Sequence, residues 1–409
     1  MKIKLYLTAC LLVLGLSCAH AVPAKKGVKR TIKLADGTSV VAELKGDEFA
    51  SYWQADDGKC YVQDIDSRTF KITDKAQVVN RGLAKRQKAN DERIKRFSKR
   101  GPKREITGAF SHFTGTKKGL IILVNFKDVK FGRTHTRAMF DNIANKKGFT
   151  HSLGFKGSVK DYFLAQSNGQ FELDFDVVGP YTLSQNMAYY GAHTKDGDVD
   201  AKAGHMVLEA CQMADKDVNY KDYDWDGDGE VDQVFVIYAG FGEADGGSED
   251  TIWPHESMLS ASTVGKRYET KDGVNVNTYA CGNENTYDML GRSRINGIGT
   301  ICHEFSHCLG YPDLYDTKNS GNFGMGSFDL MCSGSYNGES FCPPNYSAYE
   351  KWIAGWIKPT ILDKPASVKG IQAQDVKYGQ AFVVYNDNNK NEYYLIENRQ
   401  QNVGIWDKQ

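Results

Sequence analysis

The segment formed by residues 301–313 constrains this chain most, because it reads I-C-H-E-F-S-H-C-L-G-Y-P-D. Residues four apart on an α-helix lie on one face, so His303 and His307 can point their imidazoles at one cation. Glu304 then lies beside that cation, where it can take a proton from an attacking water and pass it to a leaving amine. The segment therefore predicts a helix over about residues 297–309 that carries a zinc site for peptide hydrolysis.

Two residues are candidates for the third zinc ligand. Gly310 is placed where the helix can end in a left-handed turn, which would bring Asp313 back toward the metal. Glu397 is the alternative, because it follows the apolar residues 393–396, where a buried carboxylate needs a cation. A glutamate far downstream is also the ligand used by thermolysin-like enzymes. We favour Asp313 and keep Glu397 as the alternative.

A second metal motif lies at residues 224–232, which read D-W-D-G-D-G-E-V-D. Acidic residues at loop positions 1, 3, 5 and 9 and glycine at position 6 have the spacing of a calcium-binding loop. The predicted ligands are Asp224, Asp226, Asp228, the backbone carbonyl of Glu230, and Asp232. Position 12 is Phe235 instead of the glutamate of an EF-hand. The motif therefore predicts a structural Ca²⁺ site, with a solvated acidic turn as the alternative.

The N-terminus has the features of an export signal over residues 1–21. Two lysines precede an apolar stretch at residues 5–16, and Ala19-His20-Ala21 fits a cleavage site with two small residues. Cys18 offers an alternative, a lipid-modified cysteine, although Gly15 stands where such a signal has an aliphatic residue. We therefore expect a protein that is secreted or held at the cell surface.

The remaining chain divides by composition into a β-rich unit at residues 22–84, a basic linker at residues 85–116 and a main domain at residues 117–409. Strands and helices alternate irregularly in the main domain, which indicates an α+β fold. The formal net charge is zero, and the basic run is nearly free of aromatic residues, so a nucleic-acid partner is not expected. No segment after the N-terminus reaches the roughly 18 apolar residues of a transmembrane helix.

Seven of the nine cysteines follow residue 21, and this odd number argues against a disulfide scaffold. Cys332 and Cys342 flank a short loop and are candidates for one disulfide bond. Cys302 and Cys308 are expected to be packing residues of the metal helix. Cys60 is predicted to lie in a turn, and its thiolate is one candidate for blocking the zinc; a nearby carboxylate or simple steric cover would serve equally well.

The segment at residues 324–336 reads G-M-G-S-F-D-L-M-C-S-G-S-Y. Following H-E-x-x-H-x-x-G-x-x-D, it resembles the immune inhibitor A-type secreted metallopeptidases of bacteria, which stand among or near the metzincins. The resemblance covers about residues 117–400, and residues 22–84 resemble the propeptides of that family more loosely. Relatives of this kind continue past the position of Gln409, so the resemblance leaves open whether the chain is complete.

The resemblance implies a zincin or metzincin-like catalytic domain with a mixed twisted sheet and an active-site helix, preceded by a small β-rich propeptide domain. It also implies a secreted zinc endopeptidase that acts on extracellular proteins and is made as a zymogen. Met331 would be the methionine of the turn beneath the zinc. Tyr336 is a candidate for stabilising the oxyanion, with an ordinary core or surface tyrosine as the alternative. The alternative is an inactive zincin scaffold used for surface binding or adhesion, which the presence of Glu304 disfavours.

Overall fold

The computed structural model describes residues 21–99, 113–195, 199–288, 290–318, 320–373, 380–401 and 404–407. The predicted export signal up to residue 20, its alternative lipid site at Cys18, and linker residues 100–112 lie outside the described residues. Among the described helices, none combines the length and the apolar character needed to cross a membrane.

The N-terminal part of the structure is an antiparallel meander of five strands in sequential order. The strands are β1 (Lys29–Lys33), β2 (Ser39–Asp47), β3 (Ala50–Ala55), β4 (Cys60–Gln63) and β5 (Phe70–Thr73). The turn between β1 and β2 contains Gly37 at φ +85°, a left-handed conformation that glycine adopts without strain. Helix α1 (Lys75–Lys99) follows and packs Val78 and Val79 against β3 and β4. Helix α1 continues through residues 84 and 85, where the sequence composition had suggested a boundary between the β-rich unit and the basic linker.

A six-stranded mixed sheet forms the centre of the main part, in the order β13-β12-β8-β6-β7 with β9 also paired to β12. Strands β6, β7, β8 and β12 are parallel, whereas β9 and β13 are antiparallel to β12. The strands of this sheet in chain order are β6 (Gly115–Asn125), β7 (Phe171–Thr182), β8 (Val234–Phe241), β9 (His255–Met258), β12 (Thr278–Tyr287) and β13 (Ser293–Ile295). Strands β10 (Tyr268–Glu269) and β11 (Asn275–Val276) form a separate antiparallel pair.

Strand β6 shows why this sheet is buried on both faces. Ile121 and Leu123 belong to one apolar core, whereas Leu120, Ile122 and Val124 belong to the core on the other face. Side chains alternate between the faces of a strand, so a continuous apolar run serves two cores at once. Helices α2, α3 and α6 contribute to the first core and helix α5 to the second.

The helices surround this sheet without regular alternation with the strands, so this part of the chain has the predicted α+β architecture. They are α2 (Arg137–Asn145), α3 (Val159–Gln166), α4 (Met187–Gly191), α5 (Ala203–Ala214), α6 (Ile298–Cys308) and α7 (Ala348–Ile353). Short 3-10 helices lie at Tyr220–Tyr223, Glu243–Asp245, Gly326–Phe328 and Ser333–Tyr336. A smaller sheet follows, with strands β14 (Thr360–Ile361), β15 (Ala381–Tyr385) and β16 (Tyr393–Glu397).

The predicted disulfide bond between Cys332 and Cys342 is wrong. All seven cysteines in the described part of the chain are buried, and none of them forms a disulfide. The thiol of Cys342 lies 3.5 Å from the carbonyl oxygen of Ile405 instead. Cys302 and Cys308 are buried on α6 as expected of packing residues.

Candidate metal and active site

Helix α6 carries the predicted metal residues and is buried along its whole length. It can approach the segment after Met331 closely because Gly299 has no side chain. A Cβ atom at Gly299 would lie 1.9 Å from the carbonyl oxygen of Ser335. The short loop 324–336 is thereby held directly against the helix, which places Leu330 and Met331 beside the histidines.

The two histidines of α6 are oriented by hydrogen bonds at Nδ1. His303 Nδ1 lies 2.7 Å from the carbonyl oxygen of Leu330, and His307 Nδ1 lies 2.9 Å from that of Tyr311. A backbone carbonyl accepts hydrogen bonds only, so each Nδ1 must carry the proton. Nε2 of each ring is then left with a lone pair, which is the form that binds a metal.

Asp313 meets the two histidines at these Nε2 atoms. Gly310 has φ +95° and turns the chain back at the end of the helix, as predicted. Oδ1 of Asp313 then lies 3.1 Å from Nε2 of His303 and 3.5 Å from Nε2 of His307. The three side chains have no exposed surface. Burial alone would raise the pKa of Asp313, but the two histidines lower it below its usual value.

These atoms have the character of a ligand set and not of a hydrogen-bonded cluster. Within the described residues, Nε2 of His303 and both carboxylate oxygens of Asp313 are buried without a hydrogen bond of acceptable geometry. Unpaired buried polar atoms are costly, and three of them that converge fit the ligands of a bound cation. Two imidazoles and one carboxylate, with a further position open, are the donor set of a catalytic zinc site.

Glu397, the alternative third ligand, lies elsewhere. It ends strand β16, and its Oε2 accepts a hydrogen bond of 2.9 Å from the backbone N–H of Ala348. Burial raises the pKa of this carboxyl, and Arg399 and Lys351 act in the opposite direction. Oε2 of Glu397 is thus engaged by the backbone of Ala348, and Asp313 is the carboxylate that lies against the two histidines.

Glu304 is fully buried next to the histidines. Burial raises its pKa well above the usual value, and the negative charge of Asp313 adds to the effect. Its Oε1 accepts a hydrogen bond of 2.8 Å from the backbone N–H of Val22, and among the described residues its Oε2 has no partner. A carboxyl whose pKa is raised toward neutrality can both accept and donate a proton.

The partner of Glu304 belongs to an extended segment, residues 21–25, that lies across the site. Ala21 pairs antiparallel with His255 at the start of β9, in the manner of an added strand. The carbonyl oxygens of this segment accept hydrogen bonds from three aromatic side chains: Tyr315 to Ala21 at 3.2 Å, Trp253 to Val22 at 2.9 Å and Tyr336 to Pro23 at 2.7 Å. The site thus binds a peptide backbone of its own chain.

Sequence reasoning did not identify residues 21–25 as part of the site. It considered Cys60, which the structure places in strand β4, buried with Ala50, Tyr52, Val78 and Val79. Its thiol lies 3.7 Å from the carbonyl oxygen of Gly58, and burial raises its pKa. The only sequence signal for the segment was the predicted cleavage site that ends at Ala21.

The acidic loop at residues 224–232 brings three of its carboxylates close together. Carboxylate oxygens of Asp224, Asp226 and Asp232 lie within 4.8 Å of one another. Oδ1 of Asp228 accepts a hydrogen bond of 2.9 Å from the backbone N–H of Glu230. Oε2 of the Glu230 side chain lies 3.3 Å from the guanidinium of Arg267. The side chain of Glu230 is therefore directed to a cation of the protein, consistent with a role for its backbone carbonyl only.

Comparisons with known proteins agree with this arrangement. A family model described as the immune inhibitor A peptidase M6 catalytic domain matches residues 113–361. The chain is 28% identical over 282 residues to a pre-pro-metalloprotease, PrtV, of Vibrio cholerae serotype O1, covering 60% of this chain and 30% of that protein. It is 27% identical over 304 residues to immune inhibitor A of Bacillus thuringiensis subsp. alesti, covering 62% and 42% respectively.

The chain thus spans less than half the length of the curated relatives it matches. The family match extends from the start of the central sheet through α6 and the loop after it, and so includes the candidate site. The chain belongs to the immune inhibitor A peptidase family, M6, and its residues 113–361 correspond to the catalytic domain of that family.

Proposed function

We propose that this chain is a zinc-dependent endopeptidase that is exported as a zymogen and cleaves extracellular proteins. One observation carries the proposal: the Nε2 atoms of His303 and His307 and a carboxylate oxygen of Asp313 converge in a buried position beside Glu304. The alternative of an inactive adhesion scaffold gains no support from this arrangement, since Glu304 is not needed to hold the metal.

His303, His307 and Asp313 would hold the zinc. When bound, zinc supplies a Lewis acid that polarises the scissile carbonyl and makes water easier to deprotonate. Glu304 supplies the general base for that water and then returns the proton to the leaving nitrogen. The burial that raises its pKa suits both steps, because an efficient acid–base group has a pKa near the working pH.

Substrate binding is proposed to use the edge of β9. The antiparallel bridge between Ala21 and His255 shows that an extended chain can add to this edge. Backbone hydrogen bonds of this type do not depend on sequence, so they suit an endopeptidase that binds many proteins. Tyr336, whose hydroxyl reaches a peptide carbonyl at Pro23, is placed to stabilise the developing oxyanion.

Latency is proposed to come from residues 21–25, of which residues 22–25 remain after a cut at the predicted export site. While Val22 donates to Glu304, the general base is engaged and the cleft is filled by the chain itself. A cut after Ala21, at the predicted export site, would make the nitrogen of Val22 an α-amino group, whose positive charge strengthens its pairing with Glu304. Residues 22–84 would then act as a propeptide, removed by cleavage in the basic region around residues 99–104.

A structural Ca²⁺ is proposed for the loop at residues 224–232. Three carboxylates within 4.8 Å repel one another strongly unless a cation lies between them. The loop leads directly into β8, so a bound ion would fix the start of a central strand.

The proposed activity is tested with purified chain cleaved in the basic linker and incubated with casein. We expect hydrolysis that a zinc chelator abolishes and that stoichiometric Zn²⁺ restores in the presence of calcium. Cleaved, correctly folded protein that binds zinc but leaves casein and a panel of peptides intact would favour the adhesion alternative.

A further inference from the structure

A second cluster of metal-binding side chains lies outside the site described above. His193 follows α4, Asp200 precedes α5, and Glu243 begins the 3-10 helix after β8. One donor atom from each of these residues lies within 4.8 Å of the other two, and Nε2 of His193 is 2.9 Å from Oε2 of Glu243. Three separate elements therefore bring an imidazole and two carboxylates to one place.

Two of these side chains are buried, and one carboxylate oxygen among them lacks a partner in the described part of the chain. Glu243 is 2% exposed and Asp200 is 9% exposed. Asp200 uses Oδ2 to accept a hydrogen bond of 2.5 Å from the N–H of Trp253. Its Oδ1 is buried with no hydrogen-bond partner in the described chain, so one oxygen remains for an ion. Two carboxylates so close together in a region of low dielectric repel each other strongly.

Burial alone would lower the pKa of His193, but Glu243 raises it to about 9. A cation that binds His193 would therefore have to displace the proton of the imidazole.

We propose that His193, Asp200 and Glu243 form a second metal site, which binds a zinc-class divalent cation. An imidazole with two carboxylates suits zinc and related ions, whereas calcium prefers six to eight oxygen ligands. His193 and Glu243 also line a cavity of about 320 Å³ that reaches the N-terminal sheet, with room for water to complete the coordination. The site is distinct from both metal sites of the proposed function.

The second site is connected to the peptide-binding cleft through one residue. Asp200 accepts from the backbone N–H of Trp253, and the indole N–H of Trp253 donates to the carbonyl oxygen of Val22. Metal bound to Asp200 would therefore fix the segment just before β9, which makes Asp200 a positioning residue for the cleft. Ser51 of the N-terminal sheet also donates to Glu243 at 3.3 Å.

The test uses the full chain with His303→Ala and His307→Ala, which removes the catalytic zinc ligands. Zinc is titrated calorimetrically in excess calcium, so that the acidic loop at residues 224–232 is already filled. We expect one equivalent of Zn²⁺ to bind. Adding His193→Ala should weaken this binding by at least about 100-fold, since loss of even an outer partner of a metal ligand costs about 10- to 100-fold. The matched control His205→Ala should bind zinc normally.

Asp200→Asn provides a second, nearly isosteric variant, which keeps an acceptor for Trp253 but lowers the negative charge. It should also weaken zinc binding by at least about 10-fold, with folding checked by near-UV circular dichroism. If His193→Ala fails to fold, zinc binding by Asp200→Asn is the measurement that tests the second site. The proposal is overturned if the folded starting variant binds no zinc at this site, or if folded Asp200→Asn binds zinc as tightly as the starting variant. Neither result depends on peptidase activity.

Discussion

The backbone N–H of Val22 donates a hydrogen bond of 2.8 Å to Oε1 of Glu304, joining two residues 282 positions apart in the chain. The carboxylate proposed as general base is thereby engaged by the N-terminal segment of the same protein. Tyr336 and Trp253 hold the next two carbonyls of that segment. The N-terminal segment and the candidate active site are thus linked by contacts to the backbone, which any extended peptide could make.

The first prediction concerns latency. Val22 is 1% exposed, and Val22→Asp would bury a carboxylate beside Glu304. A buried charge without a partner costs about 3 kcal/mol or more, so the segment should leave the cleft on the order of 100-fold more often. Uncleaved Val22→Asp chain should therefore hydrolyse a fluorogenic peptide far faster than the unmodified zymogen.

Two controls accompany this experiment. Val41 is 53% exposed, so Val41→Asp should leave the zymogen latent. Cys60→Ser should also remain latent, because Cys60 is buried within the N-terminal unit. If uncleaved Val22→Asp hydrolysed the peptide no faster than uncleaved Val41→Asp, the proposed blocking role of residues 21–25 would be rejected.

The second prediction separates the two candidates for the third zinc ligand. Asp313→Asn and Glu397→Gln each remove one negative charge at nearly constant size. Asp313→Asn should lose most of its zinc on dialysis, because a neutral amide is a poor zinc ligand. Glu397→Gln should keep one zinc per chain and still accept from the N–H of Ala348. Metal analysis of both dialysed variants checks this, and the reverse pattern would make Glu397 the ligand.

The third prediction concerns calcium. An ion that binds only the folded state at about one hundred times its Kd stabilises by about 2.7 kcal/mol. EGTA should therefore lower the Tm by roughly 5 °C or more for a domain of this size. Asp226→Ala should abolish that response, whereas Asp222→Ala, at an exposed carboxylate just before the loop, should retain it. If the Tm of each of the three proteins were the same with calcium and with EGTA, the proposed calcium site would be rejected.

The helix and its histidines were predictable from sequence because the information is local. Residues four apart on one helix must share a face, and Gly310 must favour a left-handed turn, so Asp313 returns to the histidines. The apolar run of β6 carries information of the same local kind, because a continuous apolar run is typical of a strand buried on both faces.

Other features could not be predicted because they depend on distant residues. The surroundings of Glu397 are one example, because the fold brings the backbone of Ala348 to its carboxylate. Cys332 and Cys342 looked like a pair from their spacing, but a disulfide depends on the distance between Cβ atoms, which spacing does not determine. No pattern in residues 21–25 indicated that they would dock against Glu304.

The central claim is that Glu304 acts on protons and does not hold the metal. Its most direct test measures casein hydrolysis and zinc content together for linker-cleaved Glu304→Ala and His307→Ala. We expect Glu304→Ala to lose at least about 10²- to 10⁴-fold in turnover, the usual contribution of acid–base catalysis, while keeping one zinc per chain. His307→Ala should lose both activity and zinc. Near-normal turnover in zinc-loaded Glu304→Ala, or loss of its zinc, would contradict the account.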